Sequence, residues 1–259
     1  MVSDFFMDNK MTQAQMITPL FQDLAKVEHH HQLACQSCAL YRLCLPLGLH
    51  RDDLSKLDEI IKRSAGFKRH QILFEPASTF KTIFVVRSGS FKTTISAADG
   101  REQVTSFYFP GEFIGMDAIY QQRYLSTARA LEASSVCELP YERLQEFSAT
   151  IPELQNQLMT RLSKELSADK NLLLSLGKKT AQEKLISFLL SLSQRFSERG
   201  YSAMSFQLTM SRGDIANHLG LAIETVSRLF TQLQEQQLLT TQGKEVTLLD
   251  LAALKQHCG

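Results

Sequence analysis

Three of the five cysteines fall in one short stretch, as Cys35-x2-Cys38-x5-Cys44, and a fourth, Cys137, closes a strand-like run far downstream. Four thiolates suit either a tetrahedral zinc ion or an iron–sulfur cluster. Zinc sites usually pair two short Cys-x2-4-Cys knuckles, so three local cysteines with one distant partner favour the cluster and leave zinc as the alternative. The odd cysteine total also points to metal or redox chemistry rather than a disulfide framework. Cys258, beside His257 at the end of the chain, has no partner pattern and is expected to be a free thiol. Ser37 and Leu43, each next to a loop cysteine, are the residues expected to shield the centre. The His29-His30-His31 run has metal-binding chemistry, but a polar stretch before a domain reads more simply as a solvated tail.

A second constellation lies near the other end. Residues 212–229 carry the spacing of a helix-turn-helix. Ala216 is small where two helices must cross closely, and Gly220 sits at the turn, where positive φ costs only glycine nothing. Ile215, Leu219, Leu221, Val226 and Leu229 supply the apolar contacts between the two helices. On the second helix, Glu224, Ser227 and Arg228 stand at i, i+3 and i+4 and share one face near the N-terminus, where a recognition helix meets base edges. Arg suits guanine O6/N7, Glu accepts from cytosine N4, and Ser reaches either base. The plainer alternative is a helical hairpin with a surface Glu224–Arg228 ion pair, but the glycine, alanine and apolar positions all agree with the DNA-reading motif.

Other elements must position these groups. The region from about Pro46 to Tyr141 reads as strands: residues 83–86, 91–95, 104–109, 113–114 and 136–139, with Asp99-Gly100 as a hairpin signal and glycine and proline turns between them. Short strands so punctuated imply a sandwich or β-roll. From Pro152 the period becomes helical. Met159, Leu162, Leu166, Asp169, Leu173 and Leu176 are spaced 3, 4, 3, 4, 3, the heptad seam of a helix that packs on a partner helix. Asp169 is the flaw in that seam. Two copies facing each other would cost on the order of 1–3 kcal/mol and hold a dimer near its midpoint. Residues 181–196 are amphipathic, the second motif helix runs from about Ile223, and residues 240–249, with Gln242-Gly243 at the centre, look like a two-stranded wing.

The chain of 259 residues is long enough for two modest domains, and 44% hydrophobic with 21% charged residues exclude bulk disorder. Net charge is +1, so any DNA affinity must come from a few placed cations and helix N-termini rather than a global field. No apolar run approaches the roughly 18–20 residues of a membrane span. Residues 1–22 lack the apolar core of a secretory signal, so a cytoplasmic protein without a membrane partner is expected. No Gly-rich phosphate loop and no nucleophile-and-base pair is present, so the chain is not expected to be an enzyme.

The Cys-x2-Cys-x5-Cys loop, Cys137 after Ala133-Ser134-Ser135-Val136, Phe113-Ile114-Gly115, the stretch at 209–220 and Glu224-Thr225-Val226-Ser227-Arg228 together resemble the CRP/FNR superfamily. The likeness is to its fumarate and nitrate reduction (FNR) branch and covers most of the chain. The resemblance implies an α+β fold: an N-terminal β-roll sensor domain like those that bind cyclic nucleotides, a long dimerisation helix and a C-terminal winged helix-turn-helix. The corresponding divisions are a flexible extension at 1–34, a cluster-binding loop at 35–45, the β-roll at 46–150, the helix at 151–177 and the DNA-binding domain at 178–259. It implies one [4Fe–4S] cluster per subunit on Cys35, Cys38, Cys44 and Cys137, and a homodimer formed in the absence of oxygen. That dimer would bind double-stranded promoter DNA at palindromic TTGAT-like sites through Glu224, Ser227, Arg228 and Arg212, and release it when oxygen degrades the cluster. It also implies contact with RNA polymerase through β-roll loops such as the 96–101 hairpin, where Arg101 stands in place of the family's usual acidic residue. No cyclic nucleotide is expected. Gly115 is followed by Met116 rather than the ribose-binding Glu, and Leu125-Ser126 replaces the Arg-Ser pair that would meet the phosphate, leaving a buried anion without its cation.

Overall fold

The computed structural model describes residues 35–45 and 49–258. The extension at 1–34, with its His run, lies outside the described residues. A 3-10 turn at Cys35–Ser37 opens the described chain, followed by α1 (Arg51–Ile60). Eight strands come next: β1 (Lys62–Phe67), β2 (Ile72–Phe74), β3 (Thr82–Ser88), β4 (Phe91–Ser96), β5 (Glu102–Tyr108), β6 (Phe113–Ile114), β7 (Thr127–Ala130) and β8 (Ser134–Pro140). They form two four-stranded sheets, β1-β8-β3-β6 and β2-β7-β4-β5, whose facing side chains build one core. Val85, Val86, Val136 and Leu139 come from one sheet and Phe74, Phe91, Ala128 and Ala130 from the other. Pairing is antiparallel throughout, as a β-roll requires. The Asp99-Gly100 hairpin joins β4 to β5, with Gly100 at φ +84.

Five elements of this half are not evident in the alternating pattern: α1, α2 (Tyr141–Thr150), β1, β2 and β7. Helix α1 buries only Leu54 and Leu57, three apart, on an otherwise polar segment. That is too sparse an apolar stripe to declare a helix by periodicity.

Helix α3 runs Pro152–Lys178, with proline at its first turn, where the missing N–H costs nothing. Its 27 residues span about 40 Å. Lys179 is extended and breaks the helix, and a capping box of Thr180 and Glu183 starts α4 (Ala181–Glu198). The remaining elements are β9 (Ser205–Gln207), α5 (Arg212–Leu219), α6 (Ile223–Glu235), β10 (Leu239–Gln242), β11 (Glu245–Leu248) and α7 (Leu251–Gln256). The wing has three strands, β10-β11-β9, rather than the two expected. β9 is only three residues long and too short to show a period. A second core gathers Leu185, Ile186 and Leu189 of α4 with Ile215, Val226 and Leu233 of the helix pair. Val104, Phe107 and Phe109, on and just after β5, belong to this second core as well, so the β-roll and the DNA-reading half share apolar packing. Among the described residues no helix is long and apolar enough to cross a membrane.

Candidate cysteine centre and nucleic-acid interface

Strand pairing sets the place of Cys137. On β8, Val136 and Leu139 are buried, and Cys137 is half-buried against the same core, in register between Arg63 of β1 and Val85 of β3. Cys35 is buried, and Cys44 and Cys137 pack against the same core. The thiols are neighbours electrostatically. Burial first, then Asp58 and Cys44, pushes Cys35 up to about 12. Burial again leads for Cys44, also up to about 12, with Cys137 and Cys38 adding to it. Cys137 is raised by burial and by Cys38, against the pull of Arg63 and Arg87. All five cysteines are free thiols.

Arg63 and Asp58 anchor the start of the loop. The Cys35 N–H donates to Asp58 Oδ1 at 2.9 Å, and Arg63 pairs with the same carboxylate. At the other end, Arg161 of α3 donates to the Leu43 carbonyl at 2.7 Å. Leu43 itself rests on Gly111, where an added Cβ would stand 2.9 Å from the Leu43 Cβ. Of the two expected shielding residues, Leu43 is half-buried and Ser37 is exposed. Among the described residues no three His, Cys, Asp or Glu side chains converge on one point as a single ion requires. The donor chemistry, four cysteine sulfurs with arginines nearby, fits a group that takes thiolate ligands. Binding must release protons, because the buried thiols are protonated at neutral pH.

The six seam positions of α3 do not share one environment. Met159, Leu166 and Leu173 are 61%, 56% and 72% exposed, an apolar row left open to solvent. Asp169 is exposed on the same helix, and burial raises its carboxyl above the usual range. Leu162 is drawn instead onto the β-roll core. Leu176 reaches the turn of the helix pair, its Cδ2 3.4 Å from where a Gly220 Cβ would lie. Beside the seam, a groove of about 950 Å3 between α3, α4 and β5 holds Tyr108, Glu165 and Asp169. Burial, then Asp117 and Asp169, pushes Glu165 up to about 7.

In the helix pair, Ser211 and Asp214 form a capping box at the start of α5. Gly220 closes α5 at φ +62, ψ +41, the left-handed cap that its place in the sequence requires. Helix α6 presents Glu224, Ser227 and Arg228 together on its exposed face, while Val226, Leu229, Phe230 and Leu233 are buried on the other. Arg212 stands apart from that trio. Its guanidinium lies 3.3 Å over the Phe230 ring and is half-buried.

Several contacts that hold this head in place have no signal in the sequence. Asp214 pairs with Lys92 of β4, and Asn217 accepts from the Val104 N–H and donates to the Glu102 carbonyl at 2.8 Å. Glu112 pairs with Arg195 and Arg199 of α4.

A β-roll carrying a winged helix-turn-helix, with a polar trio on an open recognition helix, is the build of a DNA-binding regulator. The sequence matches the Crp-like helix-turn-helix domain over residues 183–257 and the cyclic nucleotide-binding domain over 66–150. It is 47% identical to the transcriptional activator protein FnrA of Stutzerimonas stutzeri, over 88% of this chain and 94% of that protein. It is 42% identical to the fumarate and nitrate reduction regulatory protein of Vibrio cholerae, over 87% of this chain and 90% of that one. The structure of FixK2 from Bradyrhizobium japonicum matches with a TM-score of 0.71 at 25% identity, covering 77% of this chain and 98% of that one. The chain therefore belongs to the CRP/FNR family of transcription regulators, and it is a DNA-binding regulator rather than an enzyme.

Proposed function

We propose that this regulator controls genes in response to oxygen, with Cys35, Cys38, Cys44 and Cys137 holding one [4Fe–4S] cluster per subunit. The observation that carries the reading is the position of Cys137, half-buried at the edge of the β-roll core and an electrostatic neighbour of Cys38 and Cys44, in a loop about a hundred residues earlier. Such a group, held by these four cysteines, would supply iron–sulfur chemistry that oxygen can attack. Relatives at 40–42% identity carry the name anaerobic regulatory protein, which supports the same signal.

The chain's own residues supply the rest. The exposed row Met159, Leu166 and Leu173 offers a second copy of the helix an apolar face, and Asp169 beside it opposes close approach. Dimerisation along α3 would place two copies of α6 on the two halves of a palindrome of TTGAT-like half-sites, with Glu224, Ser227 and Arg228 toward base edges. Arg212, stacked on Phe230, is better placed to support α6 than to reach a base, and any DNA contact it makes would be to the backbone. RNA polymerase contact is assigned to the 96–101 hairpin, whose Arg101 and Asp99 pair with each other in solvent. A cyclic nucleotide effector is disfavoured. Leu125 offers no cation, and Glu112 is engaged by two arginines.

The deciding experiment is iron, sulfide and zinc content after anaerobic purification, with size-exclusion chromatography before and after air. About four irons and four sulfides per chain, in a dimer that dissociates in air, is the expected result. Zinc in place of iron, with a dimer indifferent to air, overturns it.

A further inference from the structure

The turn between β5 and β6, residues 109–112, touches two parts of the molecule at once. On one side Gly111, at φ +87, lies directly beneath Leu43, the residue before Cys44. No side chain cushions that contact, and the Gly111 N–H is fixed to the Val86 carbonyl at 2.8 Å. On the other side Glu112, the very next residue, is held by α4. Arg195 donates to it through Nε at 2.9 Å, and Arg199 pairs with the same carboxylate. Arg199 also donates through Nε to the Pro110 carbonyl at 2.8 Å, and Arg195 lies 4.7 Å over the Phe109 ring. The Phe109 N–H donates to Glu112 at 2.9 Å, so the turn is closed on itself. Burial alone would raise the Glu112 pKa, but the two arginines outweigh it and hold the carboxyl below its usual range, ionised.

A carboxylate gripped by two guanidinium groups is sensitive to position, because a partly buried pair that loses its geometry keeps part of the desolvation cost without the attraction. A displacement of Leu43 must therefore move Gly111, and Glu112 with it, or strain the grip of α4. We propose that the 109–112 turn is a relay that passes the position of the cysteine loop to the DNA-binding domain within a single protomer, independently of dimerisation. The inference rests on the cysteine loop being the sensing element, as proposed above. A second path from the loop exists through Arg161 and α3, so the test must separate the two.

The test moves the loop by mutation in the full-length, cluster-free protein, so that it does not depend on whether iron is bound. Amide hydrogen exchange over residues 181–198 is compared between the wild type and Leu43→Gly, which removes the Cβ that faces Gly111. The relay predicts exchange there faster by about threefold or more. It also predicts that this increment persists when Arg161→Gln is added and disappears when Glu112→Gln is added, the logic of a double-mutant cycle. An increment confined to the loop and α3, or one that survives Glu112→Gln and vanishes with Arg161→Gln, overturns the relay. Should Glu112→Gln fail to fold, Arg199→Lys removes the fork on Glu112 and Pro110 and decides the same question. Loss of iron binding in the metal analysis would sink the sensing assignment and leave this mechanical coupling standing or falling by itself.

Discussion

Arg161 of α3 donates a 2.7 Å hydrogen bond to the carbonyl of Leu43, tying the long helix to the cysteine loop one residue before Cys44. The same guanidinium lies 5.9 Å over the Phe113 ring, so it cannot follow the loop without leaving the β-roll. Removing it in Arg161→Gln should cost about 1.5–3 kcal/mol in urea unfolding, the range for a hydrogen bond involving a charged group. An unchanged midpoint would mean that the loop carbonyl finds water equally well.

The cysteines divide by place. Cys137→Ser should abolish iron retention after anaerobic purification. Cys258→Ser, at a thiol that lies beside Ser187 in the other half of the molecule, should leave it at wild-type content. Equal loss in both would remove the basis for the four-cysteine assignment.

Arg228 is exposed on the reading face of α6. Arg228→Ala should weaken binding to the palindrome by roughly 1–3 kcal/mol and relax preference at one base pair. Uniform weakening on every sequence, with a shallower salt dependence, would assign it to phosphate instead.

Asp169 is exposed beside the open apolar row of α3. Removing its charge in Asp169→Ala should shift the protein toward dimer in air, by a like-charge term on the order of 1–3 kcal/mol. A protein that elutes as a monomer at micromolar concentration in air would show that Asp169 is no brake.

Glu165 sets a pH dependence. Burial, Asp117 and Asp169 push its carboxyl up to about 7. The folded state therefore holds the proton that the unfolded chain gives up near the ordinary pKa of 4.5. Its penalty is absent below that pH and grows as pH rises toward 7, so stability falls across that window. Asp117, also raised mainly by burial, acts in the same direction. Glu112, held low by its arginines, acts oppositely and only in more acid solution. Burial holds His218 below its usual range, so it acts oppositely in the same window, and the check is the comparison between variants: from pH 5.5 to pH 8 the urea midpoint of the wild type should fall relative to that of Glu165→Gln. A variant that keeps the full wild-type slope would show that the groove carboxylates do not govern it.

Much was legible from the residues alone, because the signals are local. Gly220 had to take a left-handed turn, Glu224, Ser227 and Arg228 had to share a helix face, and Asp99-Gly100 had to reverse the chain; each follows from one backbone period or one φ value. The heptad of α3 was equally readable as a repeat. Which of its members stay open was not, because that depends on what lies beside the helix: the β-roll core takes Leu162, and the Gly220 turn takes Leu176. Helix α1 and strands β1, β2, β7 and β9 escaped because short elements with few apolar residues do not display a period, and only pairing with distant strands defines the four strands.

Residue types and their spacing set the chemistry available to this protein: the thiol donors, the reading face and the turn that presents it. How those parts are joined was settled by packing in three dimensions. Cys137 meets its loop through the register of β8 against β1 and β3, and Glu112 meets Arg195 and Arg199 across more than eighty residues. Contacts at such separation are fixed by how sheets and helices pack, which no local pattern of residue types encodes.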